Sequence, residues 1–371
     1  MNTRSLFVHV VRIWCISVAY GAALQCKSGA NADISWGVYY VVPGTQTARA
    51  IYSAAAPAWE AAAIDMNAAN GILSGLIAPY IAARATYNVI VYNNFPPFFA
   101  EAVRGSSPVK GVFAYTDSDG WWLTHTLDKW PDMQAAAFAA PPAGGAGLIV
   151  CVTVPFGSFP SWATAVSLQS PLIHFLQTTT PVAATSIPNI KELNDLTNRQ
   201  ATAFLPPFAR SATFTSGAAN GVPVTVFSKL PQAVLEIYSK FMASVLRQDL
   251  VVWSQTVPGD PSLPSSCSAP FKVENVRPAT ITVNTVAVTR AQDTARWAVS
   301  KVTADNAVFC VSTSDRTQKA KLLSGGATCL QSRQLQELFI AVAQTATIEE
   351  CPAAGSTIFL RKNLIIIPKL V

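Results

Sequence analysis

Charge is what this chain has least of: 26 Lys and Arg and 20 Asp and Glu make up only 12% of its 371 residues. The net +6 contains no block of like charges, so a basic nucleic-acid stripe is absent, although a weak basic excess suits an acidic partner. Histidine is scarcer still, three in all, and no Cys-x-x-Cys spacing occurs, which removes the usual zinc frameworks. No Asn-x-Ser/Thr acceptor is present, so N-glycosylation is not expected. No later run reaches membrane-spanning length, and the apolar C-terminus LIIIPKLV is broken by Pro368 and Lys369. Half of the residues are nevertheless apolar, which is not a disordered composition and leaves a surface rich in Ser, Thr, Gln, Asn and Ala.

The N-terminus reads as a secretory leader. Arg4 and Arg12 precede an uncharged stretch, Ile13 to Ala23, too short to cross a bilayer and ending in the small residues Gly21-Ala22-Ala23. Taking residues 1–23 as a signal peptide removes Cys15 and two arginines, leaving six cysteines and a charge of +4 on an exported, soluble chain. Six cysteines in an exported chain imply a disulfide framework, for which sequence alone allows 15 pairings. His125 and His174 are then the only histidines left, which again speaks against a metal centre.

Two stretches share one plan. In 109–126, VKGVFAYTDSDGWWLTHT, and 295–311, ARWAVSKVTADNAVFCV, a cation (Lys110, Arg296) opens an apolar run and an acidic residue (Asp119, Asp305) follows nine positions later. Each reads as a β-hairpin, with Asp119-Gly120 and Asp305-Asn306 as turn residues that tolerate positive φ. Two such units suggest a pseudo-twofold enzyme whose cations converge on one anionic site. Any β-rich chain contains two similar hairpins, and spacing alone favours that reading over a pseudo-twofold site.

Along the rest, WGVYYVVP (36–43) reads as a central strand buried on both faces, and NVIVYNN (88–94) as a strand stopped by Pro96-Pro97. Residues 72–81 have helical spacing interrupted by Pro79, predicting a kinked helix or two short ones. WATAVSLQSPLIHFL (162–176) is expected to be helical in parts, VPVTVFSK (222–229) and DLVVWSQT to be strands, and LQSRQLQELFIAVAQ a terminal helix followed by a last strand, TIFLRK. The clearest predicted helix is QAVLEIYSKFMASVLRQ, with Val234, Leu235, Tyr238, Phe241, Met242 and Val245 on one face. Strands alternating with helices in two halves predict an α/β fold.

The first hairpin with its flanks RGSSPVKGV and WWLTHTLDKWPD resembles the deoxyribonuclease II family. There a Gly-His-Thr-Lys-Gly-Val stretch precedes a hairpin ending in Leu-Val-His-Ser. Asp293-Thr294-Ala295-Arg296-Trp297 is similar to that family's Asp-His-Ser-Lys-Trp, and YNNFPP to its Tyr-Asn-Asp-Gln-Pro-Pro. The resemblance implies one domain, 24–371, built as a pseudo-twofold two-halved β-sheet sandwich flanked by helices, phospholipase D-like, with halves at about 24–210 and 211–371. It also selects the bridges Cys26–Cys151, Cys267–Cys351 and Cys310–Cys329. Asp315-Arg316 resembles the family's Asn-Arg, which makes Arg316 a phosphate-binding candidate beside Lys110 and Arg296. The family's Glu-Glu pair in that loop is replaced by Ala320-Lys321.

Both family histidines are missing: Pro108 stands at the first position and Thr294 at the second. Cleaving a phosphodiester as the family does needs two proton-carrying partners around the phosphate, for which imidazole is suited. Only the cations Lys110 and Arg296 and the hairpin histidine, His125, remain as a remnant site; His174 reads as structural. The sequence therefore implies a secreted or lysosomal deoxyribonuclease II-like protein, catalytically degenerate and needing no cofactor. It would keep a groove for DNA or another polyanion or act as an extracellular interaction protein. The alternative is an active acid endonuclease using His125 or an unrecognised base.

Overall fold

A computed structural model describes residues 24–352 apart from 70, 179–189, 199–205, 256–258, 269 and 278. The leader and the strand expected at TIFLRK lie outside the described residues.

In the first half, β1 (Cys26–Lys27) and β2 (Asp33–Ile34) form a small ribbon beside an eight-stranded sheet. That sheet contains β3 (Trp36–Val41), β4 (Thr47–Tyr52), β5 (Ile64–Asp65), β6 (Asn88–Tyr92), β7 (Gly111–Tyr115), β8 (Asp119–His125), β9 (Gly147–Pro155) and β10 (Ile173–Gln177), in the order β10-β6-β7-β8-β9-β3-β4-β5. The second half contains β11 (Ala209–Thr215), β12 (Pro223–Lys229), β13 (Leu250–Trp253), β14 (Val273–Arg277), the ribbon β15 (Thr280–Val283) and β16 (Val286–Thr289), β17 (Trp297–Ser300), β18 (Val308–Ser312), β19 (Gly325–Gln331) and β20 (Thr347–Glu349). Its eight-stranded sheet runs β11-β12-β19-β18-β17-β13-β14-β20.

The two sheets share a block of identical connectivity. β3, β6, β7, β8 and β9 lie side by side as second, third, fourth, fifth and first in chain order, antiparallel throughout. β12, β13, β17, β18 and β19 repeat that order, also antiparallel. Both hairpins of the sequence repeat, β7–β8 and β17–β18, sit inside this block.

Strand alternation explains the layers, because successive side chains point to opposite faces. Val38 and Tyr40 enter a central core shared with Val251, Trp253, Trp297 and Phe309 of the other half. Tyr39 and Val41 pack outward against the helix Ile72–Ala82, and Val252 and Ala298 pack outward against Ile237, Tyr238 and Met242. Between the sheets lie two helices, each in contact with the other half. Phe159–Leu168 follows β9, and beyond its end Gln169 donates to Ser228 of β12 at 3.2 Å. Arg333–Gln344 follows β19, capped by Ser332, and sets Phe339 against Tyr40 and Trp59 at 6.5 and 5.5 Å between ring centroids. Three disulfides join Cys26–Cys151, Cys267–Cys351 and Cys310–Cys329.

Two expectations need correction. The first hairpin turns at residues 116–118, so Asp119 and Gly120 are strand residues, paired with Pro155 and Tyr115. Asp119 is drawn there by tertiary bonding, its carboxylate accepting from the Leu24 N–H at 2.8 Å, and a Cβ at Gly120 would stand 2.6 Å from the Ala114 carbonyl. The long helix expected over QAVLEIYSKFMASVLRQ is instead a 3-10 turn at Pro231–Ala233, a π-helical turn at Tyr238–Met242 and a short α-helix at Ala243–Leu246. Val234 adopts a left-handed φ of 46° and is exposed, and Glu236 accepts from the backbone N–H of Tyr238 and Ser239, so the helix begins there. Over 72–81 Pro79 lies within one helix, Ile72–Ala82, and 162–176 is helical in part as expected, Phe159–Leu168 being followed by the strand β10, which carries His174.

Candidate functional site

Each half positions its cation on the residue just ahead of a hairpin. The Lys110 carbonyl accepts from the His125 N–H at 3.2 Å, and the Arg296 carbonyl accepts from the Ser312 N–H at 2.8 Å, so the two backbones are held alike. Lys110 Nζ donates to Asn93 Oδ1 at 3.0 Å and to Asn94 Oδ1, and pairs with Asp128 at 2.9 Å. Burial pulls its pKa below the ordinary lysine value; Asp128 opposes that and the Arg296 charge adds to it. Arg296 meets both oxygens of Asp315 through Nε and Nη2, donates from Nη2 to Gln255 Oε1 at 2.7 Å, and donates from Nη1 to the Thr294 carbonyl at 3.0 Å. Burial disfavours its charge, but Asp315 outweighs burial and raises its pKa.

These amide and carboxylate partners were missed in the sequence, although the repeat contains their signal. Asn94 and Gln255 each lie two residues past the end of the strand before the hairpin, Tyr92 and Trp253. Asp128 and Asp315 each lie three residues past the end of the second hairpin strand, His125 and Ser312. The twofold likeness therefore extends from strand order to the polar partners of the cations.

The residues leading into the cations differ. Thr294 is stitched to the first half: its N–H and its Oγ1 both donate to the Ala146 carbonyl at 3.0 Å, and its Oγ1 lies 3.2 Å from Thr126 Oγ1. Asp293, ahead of it, is buried and accepts from Tyr40 Oη at 2.5 Å, Trp253 Nε1 at 2.8 Å and the Ala295 N–H at 2.8 Å, and burial pushes its pKa up to about 6. At the matching positions of the first half, the buried Ser107 Oγ has no partner. Pro108 lines a cavity of about 190 Å³ whose other walls, among them Ser314, Asp315 and Ser324, belong to the second half.

His125 is fully buried at the end of β8, its ring edge on Trp130 at 5.2 Å. Its Nδ1 accepts from the Leu127 N–H at 3.2 Å, which places the proton on Nε2, and Nε2 has no partner. Burial first, and Lys110 second, push its pKa down to about 3, so it stays neutral where imidazole ordinarily titrates.

Residues 25–351 match the family profile described as Deoxyribonuclease II. The chain belongs to the deoxyribonuclease II family. It is 24% identical over 341 residues to Deoxyribonuclease-2-alpha of Rattus norvegicus, covering 85% of this chain and 92% of that protein. It is 21% identical over 334 residues to Deoxyribonuclease-2-beta of Homo sapiens, covering 86% and 90%. Plancitoxin-1 of Acanthaster planci is 23% identical over 255 residues, covering 67% and 68%. The two packed sheets suit the phospholipase D-like arrangement of the deoxyribonuclease II family. Arg316 is almost fully buried, with Nε on Asn275 Oδ1 at 2.7 Å, Nη2 on the Pro264 carbonyl at 2.6 Å and Nη1 3.2 Å from Glu236. Its guanidinium thus joins three segments of the second half. Among the described residues no helix is long and apolar enough to cross a membrane.

Proposed function

We propose that this chain is an exported deoxyribonuclease II scaffold that no longer cleaves DNA and acts by binding. The reading rests on the two positions where the family resemblance puts histidines. Pro108 has no group that can attack phosphorus or move a proton. Thr294 has a hydroxyl already donating to Ala146 and shared with Thr126. Attack by a threonine needs an adjacent base. The imidazole of His125 is walled in and neutral, and Asp293 is enclosed by three donors. Losing a nucleophile of this kind lowers the rate by on the order of 10⁴–10⁶. Export is supported by three disulfides, which persist in oxidising compartments.

The test is cleavage of plasmid DNA by purified protein at acid pH, with and without chelator. No turnover above background is expected. Robust chelator-resistant cleavage that His125→Ala abolishes would overturn the proposal in favour of an active acid endonuclease. Pro108→His combined with Thr294→His should introduce feeble cleavage, and either change alone none, because the two proton roles act as a unit.

A further inference from the structure

We propose that Asp128 and Asp315 fill, from within the chain, the places where Lys110 and Arg296 would hold the oxygens of a phosphodiester. The centre then turns anions away as long as those carboxylates hold the cations. This rests on the reading of the Lys110–Arg296 centre as a phosphodiester seat that has lost its histidines.

Three observations carry the inference. First, Arg296 presents Nε and Nη2 side by side to the two oxygens of Asp315, the same fork it would present to two phosphate oxygens, and one guanidinium edge cannot serve both. Second, the arrangement occurs twice at matching offsets, Lys110 with Asp128 and Arg296 with Asp315, so the carboxylates belong to the repeated design of the centre. Third, the two pairs share one field: the Arg296 charge lowers the pKa of Lys110, and the Asp128 charge raises that of Arg296. Two cations and two carboxylates sum to zero, so an arriving phosphodiester meets no net attraction.

Exposure shows which charge an arriving anion meets. The side chains of Asp128 and Asp315 are 51% and 18% exposed, against 6% and 12% for those of Lys110 and Arg296. On both sides the carboxylate is the more open member of the pair. A purely structural role for the carboxylates predicts that removing their charge only loosens the protein. Occupation of the seat predicts a gain of binding.

The experiment measures fluorescence anisotropy of a labelled oligodeoxythymidine against the full chain at low salt. Asp128→Asn and Asp315→Asn should each tighten binding by on the order of tenfold, and the double variant by more. Adding Lys110→Ala or Arg296→Ala to the double variant should return it to the wild-type level. Glu101→Gln with Asp305→Asn, on the exposed surface, matches the change in net charge and should gain far less. If Asp315→Asn melts early, Asp128→Asn alone decides, because its side chain is half exposed. Unchanged affinity in Asp128→Asn, an equal gain in the surface control, or a gain that survives Lys110→Ala would overturn the inference while leaving the silent scaffold standing. DNA cleavage by the wild-type chain would instead sink the functional proposal.

Discussion

The two halves share a five-strand connectivity and a cation held by an amide and a carboxylate, but they differ in the three residues that lead to that cation. In the second half, Asp293 and Thr294 are bonded across the seam to Tyr40, Ala146 and Thr126. In the first half, Ser107 has no hydrogen-bond partner and Pro108 borders a cavity. The likeness runs from the strand order to the amide and carboxylate partners of the cations. The difference falls on and beside the positions that the family resemblance matches to histidines, where one half is fastened across the seam and the other borders a cavity.

That comparison can be broken first by removing its staples. The Cys26–Cys151 bridge closes 125 residues and Cys310–Cys329 only 19, so Cys→Ala pairs should destabilise by about 5 and about 3 kcal/mol on the chain-entropy estimate, read from urea melts. Equal losses would show that the halves do not depend on loop length in this way. Next, Asp293→Ala should cost about 3 kcal/mol, since it strands two buried donors, Tyr40 and Trp253. The matching Ser107→Ala should be close to neutral because its buried hydroxyl bonds to nothing. A similar cost at both positions would erase the asymmetry.

Arg296→Lys should cost about 2 kcal/mol in thermal melts, because an ammonium cannot span Asp315, Gln255 and the Thr294 carbonyl together. Lys110→Ala should cost less, about 1 kcal/mol, as its partner Asp128 is half exposed and can rehydrate. Acidification sets the two halves against each other. His125 has a folded pKa of about 3 against 6.5, so its contribution is full above pH 6.5 and falls as pH drops towards 3. Asp293 has a folded pKa of about 6 against 3.8, so its contribution is full below pH 3.8 and falls as pH rises to 6. His125→Phe should therefore flatten the acid loss and Asp293→Asn should steepen it.

Much of this was legible from patterns whose physical cause is local. Near-continuous apolar runs such as Trp36–Val41 and Asn88–Tyr92 are fully buried strands because both faces of each sheet are covered. Lys110 and Arg296 were singled out by the shared plan of the two hairpin stretches together with the family resemblance. What escaped was set by tertiary partners. Gly120 looked like a turn glycine but is needed for its close approach to Ala114. The apolar face read across 232–248 ignored Glu236, whose carboxylate starts the helix four residues late. Asp128, Asp315, Asn94 and Gln255 sit in loops, where no periodicity marks them, and aligning the two halves on their strand ends brings them out as partners of the cations.

Phe339 of the second half lies against Tyr40 and Trp59 of the first, and the two interlayer helices each reach the opposite sheet. If two separate copies of one such half were paired about a twofold axis, every substitution would appear on both sides of the centre at once. Joined in a single polypeptide, the two sides of the centre are released from that symmetry. A proline on one side and a threonine on the other is a combination closed to a pair of identical copies.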